Sequence, residues 1–305
     1  MTMGFAAKVC AACLAVSTLA ACGTTVARPS ATTSATPQEG AGRAAQDATR
    51  YTANATVLQN PQHGPQLCMA VMTSLPPQCG GPDIVGWDWS KVQSQERQGV
   101  RWGEYHVTGT WDGKRLTLTE PAGPQVETPV MPPSKGRFAS PCPEPQGGWH
   151  PVDPSAATME TQEQAIQRAQ SVPEFAGAWV DQSYLDGLPT GMESTAANDP
   201  AKLVLNLRFT GDLSGREAWI REVWGGALCV TGAERSEASL RKVADALPDD
   251  LRSGLDLQAL ETSVDTVGNK IDLTVYVVTP RLRGWLDDKY GPGMVEVDGF
   301  LKPVA

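Results

Sequence analysis

Between Tyr51 and Glu120 apolar and polar residues alternate in short runs, the period-two signature of half-buried strands. Ala55–Leu58, Gln66–Met72, Ile84–Trp89, Arg101–Trp111 and Lys114–Thr119 are the predicted strands. The clearest pair is a hairpin over Val107–Leu118, with Asp112-Gly113 at its tip suited to the positive φ angles of a type I′ turn. From Thr161 the period changes. Thr161–Gln164 and Ser214–Glu217 read as capping boxes, the second leading into Ala218–Trp224 and stopped by Gly225-Gly226. Ser236 caps a helix with Leu240, Val243, Ala244 and Leu247 on one stripe, and Pro280 starts another with Leu282, Trp285 and Leu286 facing in. Leu203–Phe209, Lys270–Val278 and Met294–Leu301 are the strands between and after them. The pattern predicts two domains. Residues 50–120 form a small all-β domain, an OB-like barrel or a sandwich, and residues 161–305 an α+β domain with a sheet covered on one side. Residues 121–160 make a proline-rich connector, since 121–154 hold ten of the 24 prolines.

The first 49 residues follow neither pattern. Met1–Lys8 is a short n-region with one positive charge, and Val9–Ala21 is an apolar stretch too short for a spanning helix, which needs about 20 residues. It ends in Leu19-Ala20-Ala21-Cys22, which resembles the lipobox of bacterial lipoproteins at all four positions. The resemblance implies a signal peptide over 1–21 and a diacylglyceryl group on the Cys22 thiol. The mature chain would begin at Cys22, held to the extracytoplasmic face of the cell membrane by more than one acyl chain, as stable anchoring requires. Residues 22–49 are almost all Thr, Ala, Ser, Pro, Gly and Gln, a disordered tether with a reach of about 30 Å.

An oxidising compartment changes the meaning of the cysteines. Cys10 and Cys13 fall in the removed segment, and Cys68, Cys79, Cys142 and Cys229 remain. Four cysteines allow three pairings. Cys68 and Cys79 flank the Pro76-Pro77 turn in one small domain and are the natural local pair, which leaves Cys142 with Cys229 to pin the connector to the second domain. A zinc site is disfavoured, because no two of the four have CxxC spacing and no histidine neighbours them.

Charge and motifs narrow the chemistry. Lys plus Arg is 25 against 34 Asp plus Glu, a net charge of −9 that repels phosphate backbones and disfavours nucleic acid as a partner. There is no G-x-S-x-G, H-E-x-x-H or P-loop motif, and no cofactor or metal site is predicted. Ser239-x-x-Lys242 matches a penicillin-binding pattern, but it sits on an amphipathic helix and its companion motifs are missing. His63 lies in a turn-rich loop, His106 mid-strand and His150 in the connector, and spacing alone assembles no triad from them. Asp249-Asp250 and Asp287-Asp288 read as solvated helix ends. Nine tryptophans are many for this length; Trp87, Trp89, Trp102 and Trp111 cluster in the β domain, where they either pack the core or line a ligand groove with Asp83 and Asp88 as polar partners.

Phe175-Ala-Gly-Ala-Trp179-Val-Asp181, the strand Leu203–Leu207, Arg235-Ser236 with Leu240, and Val264-Asp265 followed by Asn269–Val275 occur in an order that resembles the pro-region of α-lytic-protease and streptogrisin-type serine proteases. That resemblance covers roughly residues 175–280 and implies an α+β unit that assists the folding of a serine protease or inhibits it; no protease domain follows it in this chain. The chain as a whole also resembles lipoproteins of actinomycetes. The expected function is a non-enzymatic binding module for an envelope or secreted protein. The alternatives are a chaperone or inhibitor of a secreted serine protease, or an envelope hydrolase using His63 or His106.

Overall fold

The computed structural model describes residues 49–127, 136–186, 188 and 196–304. Residues 1–48, on which the expected signal peptide, the lipidation of Cys22 and nearly all of the expected tether fall, lie outside the described residues. The fold is mixed α/β and rich in strands, with three sheets among the described residues.

The largest sheet is built on β1 (Arg50–Asn60) and β5 (Val100–Trp111), antiparallel from Arg50↔Thr110 to Gln59↔Arg101. β2 (His63–Cys68) flanks β1, β4 (Gln95–Arg97) flanks β5, and β6 (Leu116–Leu118) leads to a short parallel β3 (Ile84–Val85). Strand alternation sends Ala53, Ala55, Val57, Tyr105 and Val107 to one face, where Leu67, Ile84 and Leu116 join them. The expected OB-like closure is not found, and among the described residues there is no closed barrel. The strand path ends at the two-residue β3, while the edge at β1 is occupied by β13 (Lys302–Pro303) from the far end of the chain. The hairpin forms as expected but with a different turn. Trp111 pairs with Leu116, so four residues turn the chain, and the Asp112 carboxylate accepts the backbone N–H groups of Lys114 (2.8 Å) and Arg115 (2.9 Å). The Arg115 guanidinium beside it, together with those two N–H groups, holds the Asp112 carboxyl down to about 2.

The remaining two sheets are copies of one topology. In the first, α1 (Met159–Gln170) precedes β7 (Phe175–Asp181), β8 (Val204–Phe209), α2 (Arg216–Arg221) and β9 (Ala227–Gly232). In the second, α3 (Glu237–Leu255) precedes β10 (Glu261–Asp265), β11 (Lys270–Val275), α4 (Pro280–Tyr290) and β12 (Val295–Gly299). Each is αββαβ, with the first two strands antiparallel and the helical crossover joining the second to a parallel third. A constant offset of 66 residues relates Leu205, Leu207 and Phe209 to Ile271, Leu273 and Val275, and Trp219-Ile220, Trp224 and Gly225 to Trp285-Leu286, Tyr290 and Gly291. Each copy has its own core, Ala165, Phe175, Leu207, Ile220 and Trp224 in one and Leu240, Leu247, Leu273, Leu282 and Leu286 in the other.

Helix starts follow the chemistry of the caps. Ser236 caps α3 through the Ser239 N–H, and Thr279 precedes Pro280 at the start of α4, both where the sequence predicts a start. The box expected at Thr161 lies three residues earlier: Thr158 accepts the Thr161 N–H and the Thr161 hydroxyl takes the Thr158 N–H. Ser214 bonds Asp212 instead of capping, and Gly215, at φ 76°, opens α2.

Several contacts join these parts. Asn269, buried at 4% exposure, donates its amide to the Arg235 carbonyl (2.8 Å) and accepts the Arg235 N–H (3.0 Å), fastening the segment between the two copies to the second. Arg208 of the first copy donates to the Val267 carbonyl of the second (2.8 Å). Val277 and Leu301, which follow β11 and β12, enter the core of the large sheet, and β13 then pairs with β1. Residues 49–304 therefore close on themselves as one compact unit, with the C-terminal segment beside the N-terminal strand.

Candidate functional site

Both cysteine pairs form as the spacing predicts, Cys68–Cys79 and Cys142–Cys229, with Cα separations of 6.0 and 5.8 Å. The second bridge does what the connector's composition could not show. It straps residues 140–152 over the face of the first αββαβ sheet that its helices leave open, so that Cys142 and Trp149 pack on Val204, Ala227 and Cys229. Asp181 fastens the same strap by accepting the Ser140 N–H (2.7 Å). Burial pushes the Asp181 carboxyl up, but hydrogen bonds from Ser183 and Ser140 outweigh it and hold the group below its ordinary value. The corresponding face of the second copy carries Lys270, Asp272 and Thr274 from β11, and burial together with nearby Asp265 pushes the Asp272 carboxyl up.

The four tryptophans do not make one groove. Trp87 and Trp89 pack edge-on against each other and against Tyr105, at 5.2 and 5.0 Å for the Trp87 contacts. Trp102 faces the opposite side of β5 and lines a cleft of about 420 Å³ with Thr56, Val71, Pro77 and Gln93. Trp111 stacks on Tyr276 of the second copy at 5.1 Å, in a cleft of about 470 Å³ where the large sheet meets α3. Gly81, Lys114, Arg252 and Asp256 also line that cleft, and Lys114 pairs with Asp256 at 3.3 Å. Burial pushes the Tyr276 hydroxyl up to about 12, so it is a neutral hydrogen-bonding group there. Asp83 borders an adjoining cleft with Asp112 and Lys114, while Asp88 is the cap of a short 3₁₀ turn, accepting the Ser90 N–H. This arrangement suits binding: an aromatic wall with charged groups of both signs at the rim.

No family model matches the chain, and no curated protein matches it. What it can do rests on its own geometry.

Among the histidines, His63 and His150 are exposed, the latter bonded to the Gly148 carbonyl. His106 is different. Its Nε2 lies 2.7 Å from the Thr52 hydroxyl and its Nδ1 3.0 Å from Asn54 Oδ1. The Asn54 amide is fixed independently, because Nδ2 donates to the Val126 carbonyl (2.6 Å) and Oδ1 accepts the Val126 N–H (3.1 Å). Nδ1 must therefore carry a proton and donate to Asn54, which leaves Nε2 of the neutral ring to accept from Thr52. In the protonated ring Nε2 donates, and Thr52 turns its own proton to the Val107 carbonyl, 3.0 Å away.

A hydroxyl, an imidazole and an amide in line have the order of a nucleophilic relay. Here the backbone of the connector lies over the group: His106 and Gly123 exchange both backbone hydrogen bonds, and Val126 sits on Asn54. The trio is a latch that lays residues 119–126 along the sheet. Replacing Asn54 by alanine removes both Val126 bonds and strands the imidazole N–H, so the variant should lose about 1–3 kcal/mol by chemical denaturation. Amide exchange at Gly123 and Val126 should accelerate in step; protection equal to wild type there would show that the segment is held some other way.

The other motifs resolve into structural roles. Ser239 Oγ donates to the Ser236 carbonyl and Lys242 is exposed, so the S-x-x-K residues are not joined. Asp249 pairs with Arg252, and Asp250 with Lys289 and the Tyr290 hydroxyl. The feature that sequence reasoning passed over is the tip of the Cys68–Cys79 loop, where Met72, Thr73, Ser74 and Leu75 are all exposed in a row.

Proposed function

We propose that this protein is a lipid-anchored lipoprotein of the extracytoplasmic membrane face, acting as a non-enzymatic binding module for an envelope or secreted protein. The observation that carries the reading is the pairing of all four ectodomain cysteines, which suits an oxidising compartment, behind a Leu19-Ala20-Ala21-Cys22 lipobox and a polar tether. Among the described residues no helix is long and apolar enough to cross a membrane, which is compatible with attachment through acyl chains. In this reading the large sheet and the tandem αββαβ repeat are two domains locked together, and the Trp111–Tyr276 cleft and the Cys68–Cys79 loop are the surfaces presented outward. An inhibitor or chaperone of a secreted serine protease is the second reading. It is favoured by the fact that Phe175–Asp181, Val204–Leu207, Ser236 and Lys270–Val275 all fall on strands or a cap of the repeat.

Expression in a lipoprotein-processing host tests the anchor. The wild-type chain should fractionate with membranes and carry the mass of a diacylglyceryl group at Cys22, and Cys22→Ala should move it out of the membrane fraction. A wild-type chain cleaved elsewhere and free of lipid would end the anchoring proposal. Immobilised on its tether, the wild-type chain should retain a discrete protein from envelope or culture fluid in a saturable way.

A further inference from the structure

We infer that the cleft beside Trp102 is a glycan-binding site that takes a short stretch of uncharged polysaccharide. Its ligand is a sugar and it lies away from the Trp111–Tyr276 cleft, so the inference goes beyond the protein-binding reading. The site sits on the outer face of the large sheet, onto which Thr52, Asn54 and Thr56 alternate from β1 and Trp102, Glu104 and His106 from β5. One end of that face is finished. Thr52, Asn54 and His106 bond one another and lie under the connector at Gly123 and Val126. The other end is not. Among the described residues the side chains of Thr56, Gln93, Ser94, Gln95, Trp102 and Glu104 make no hydrogen bond or ion pair, and all of them line the cleft of about 420 Å³.

Rigid parts surround the cleft. Its floor is the β1–β5 pair, where Thr56 stands opposite Glu104. Trp102 is flanked directly by Leu58 on β1 and by Gln95 on β4, and Leu58 is 1% exposed, so the indole rises beside a packed neighbour. The segment that carries Gln93, Ser94 and Gln95 is fixed from the core side. The Tyr105 hydroxyl passes Gly103, where a Cβ would stand 2.2 Å from it, and donates to the Gln93 carbonyl (2.5 Å). Val71 and Pro77 form a further wall. They belong to the loop closed by Cys68–Cys79 and by the hydrogen bond from the Met72 N–H to the Gln78 carbonyl (2.9 Å). A backbone already held in place costs little further ordering when a ligand binds.

The chemistry of the lining selects the ligand. Among the residues that line the cleft Glu104 alone is charged. With no lining cation, in a chain of net charge −9, phosphates, acidic lipids and acidic peptides are repelled. An acyl chain would desolvate the amides and the carboxylate without pairing them. A proline-rich peptide docks in an aromatic-lined groove, and here a single indole stands. An organic cation would use Glu104 and the indole but leave Thr56, Gln93, Ser94 and Gln95 unpaired. A sugar meets every group. Its ring has an apolar C–H face that packs on an indole, and its hydroxyls both donate and accept. Glu104 accepts such hydroxyl protons, the Gln93 and Gln95 amides donate and accept side by side, and the Thr56 and Ser94 hydroxyls turn to either role. The cleft falls within the range of about 300–1,000 Å³ typical of sites that set a few polar groups around an apolar wall.

The test is affinity electrophoresis of the full chain in non-ionic detergent through gels holding a glucan, a galactan, a mannan or soluble chitin oligomers, with calorimetry on the matching oligosaccharides. At least one of them should retard the wild-type chain, with a Kd of about 0.1–1 mM. That affinity should hold between about 50 and 500 mM salt, because no charge pair forms. Trp102→Ala should weaken binding about tenfold or more by removing the stacking wall. Glu104→Gln, at an exposed and unpaired side chain whose replacement leaves the fold intact, should weaken it about three- to tenfold. Lys242→Ala, on the exposed side of α3, should bind as the wild type does. If none of the glycans retards the wild-type chain, with both disulfides verified by mass spectrometry, the inference falls. It falls equally if retardation survives both Trp102→Ala and Glu104→Lys, since the sugar would then bind elsewhere. Binding of an oligolysine peptide that Glu104→Gln and high salt abolish, with no glycan retained, would overturn it in favour of a cation site.

Discussion

Replacing Cys142 and Cys229 together by alanine is expected to lower the unfolding free energy by about 4.5 kcal/mol, taking chain entropy as the main term. The bridge spans 87 residues, against 11 for Cys68–Cys79, for which the same argument gives about 3 kcal/mol. Entropy is only part of the effect. Without the bridge the strap over residues 140–152 is free to leave the first repeat's sheet, uncovering Val204, Ala227 and Asn206, which are 1–3% exposed with the strap in place. A domain's whole stability is about 5–15 kcal/mol, so the variant should sit close to its unfolding threshold at 37 °C. Urea titration of both double variants checks the ranking, and quenching of Trp149 reports whether the strap has lifted. A loss smaller than that of the Cys68, Cys79 variant would mean that the strap is held by Asp181 and Trp149 and the disulfide adds little.

Features set by neighbouring residues were legible in the sequence. The β5–β6 hairpin, the cap at Ser236, the helix start at Pro280 and the local cysteine pair depend on residues a few positions apart. The barrel was misjudged because the large sheet takes its edge from Lys302–Pro303, more than 240 residues away, and no local pattern encodes that pairing. The tandem repeat is faint in the sequence for a different reason. Its echo is confined to a few positions, Trp-Ile/Leu-x-x-x-Trp/Tyr-Gly on the crossover helix and alternate residues of the middle strand, while three of its strands carry weak signals. β7 holds an Ala-Gly-Ala run, β9 is largely buried, and β10 is mostly polar, so period-two alternation marks none of them. The tryptophan groove could have been dismissed by parity alone. Trp102 and Trp111 are an odd number of residues apart on one strand, and therefore on opposite faces.

The repeat supplies its own control for the last prediction. Trp224 and Tyr290 occupy equivalent positions, but Trp224 is fully buried with its indole N–H donating to the Ala227 carbonyl (3.0 Å), while Tyr290 is half-buried and reaches Asp250 at the surface of α3. Trp224→Ala should therefore cost about 3–5 kcal/mol, and Tyr290→Phe far less, since the ring stays and its partner is solvated. Gly226 makes the Trp224 site unusually exacting. A Cβ there would stand 2.1 Å from the Trp224 ring, so Gly226→Ala should also destabilise strongly, by collision with the indole instead of by a void. The two defects concern the same space and should not add. In the Trp224→Ala background the added methyl meets no ring, so Gly226→Ala should cost much less than it does alone, and the coupling in a double-mutant cycle should exceed about 1 kcal/mol. Additive losses would mean that Gly226 is required by its backbone and not by the indole. The tight Trp-Gly-Gly turn would then owe its shape to chain geometry, with the tryptophan only filling the space beneath it.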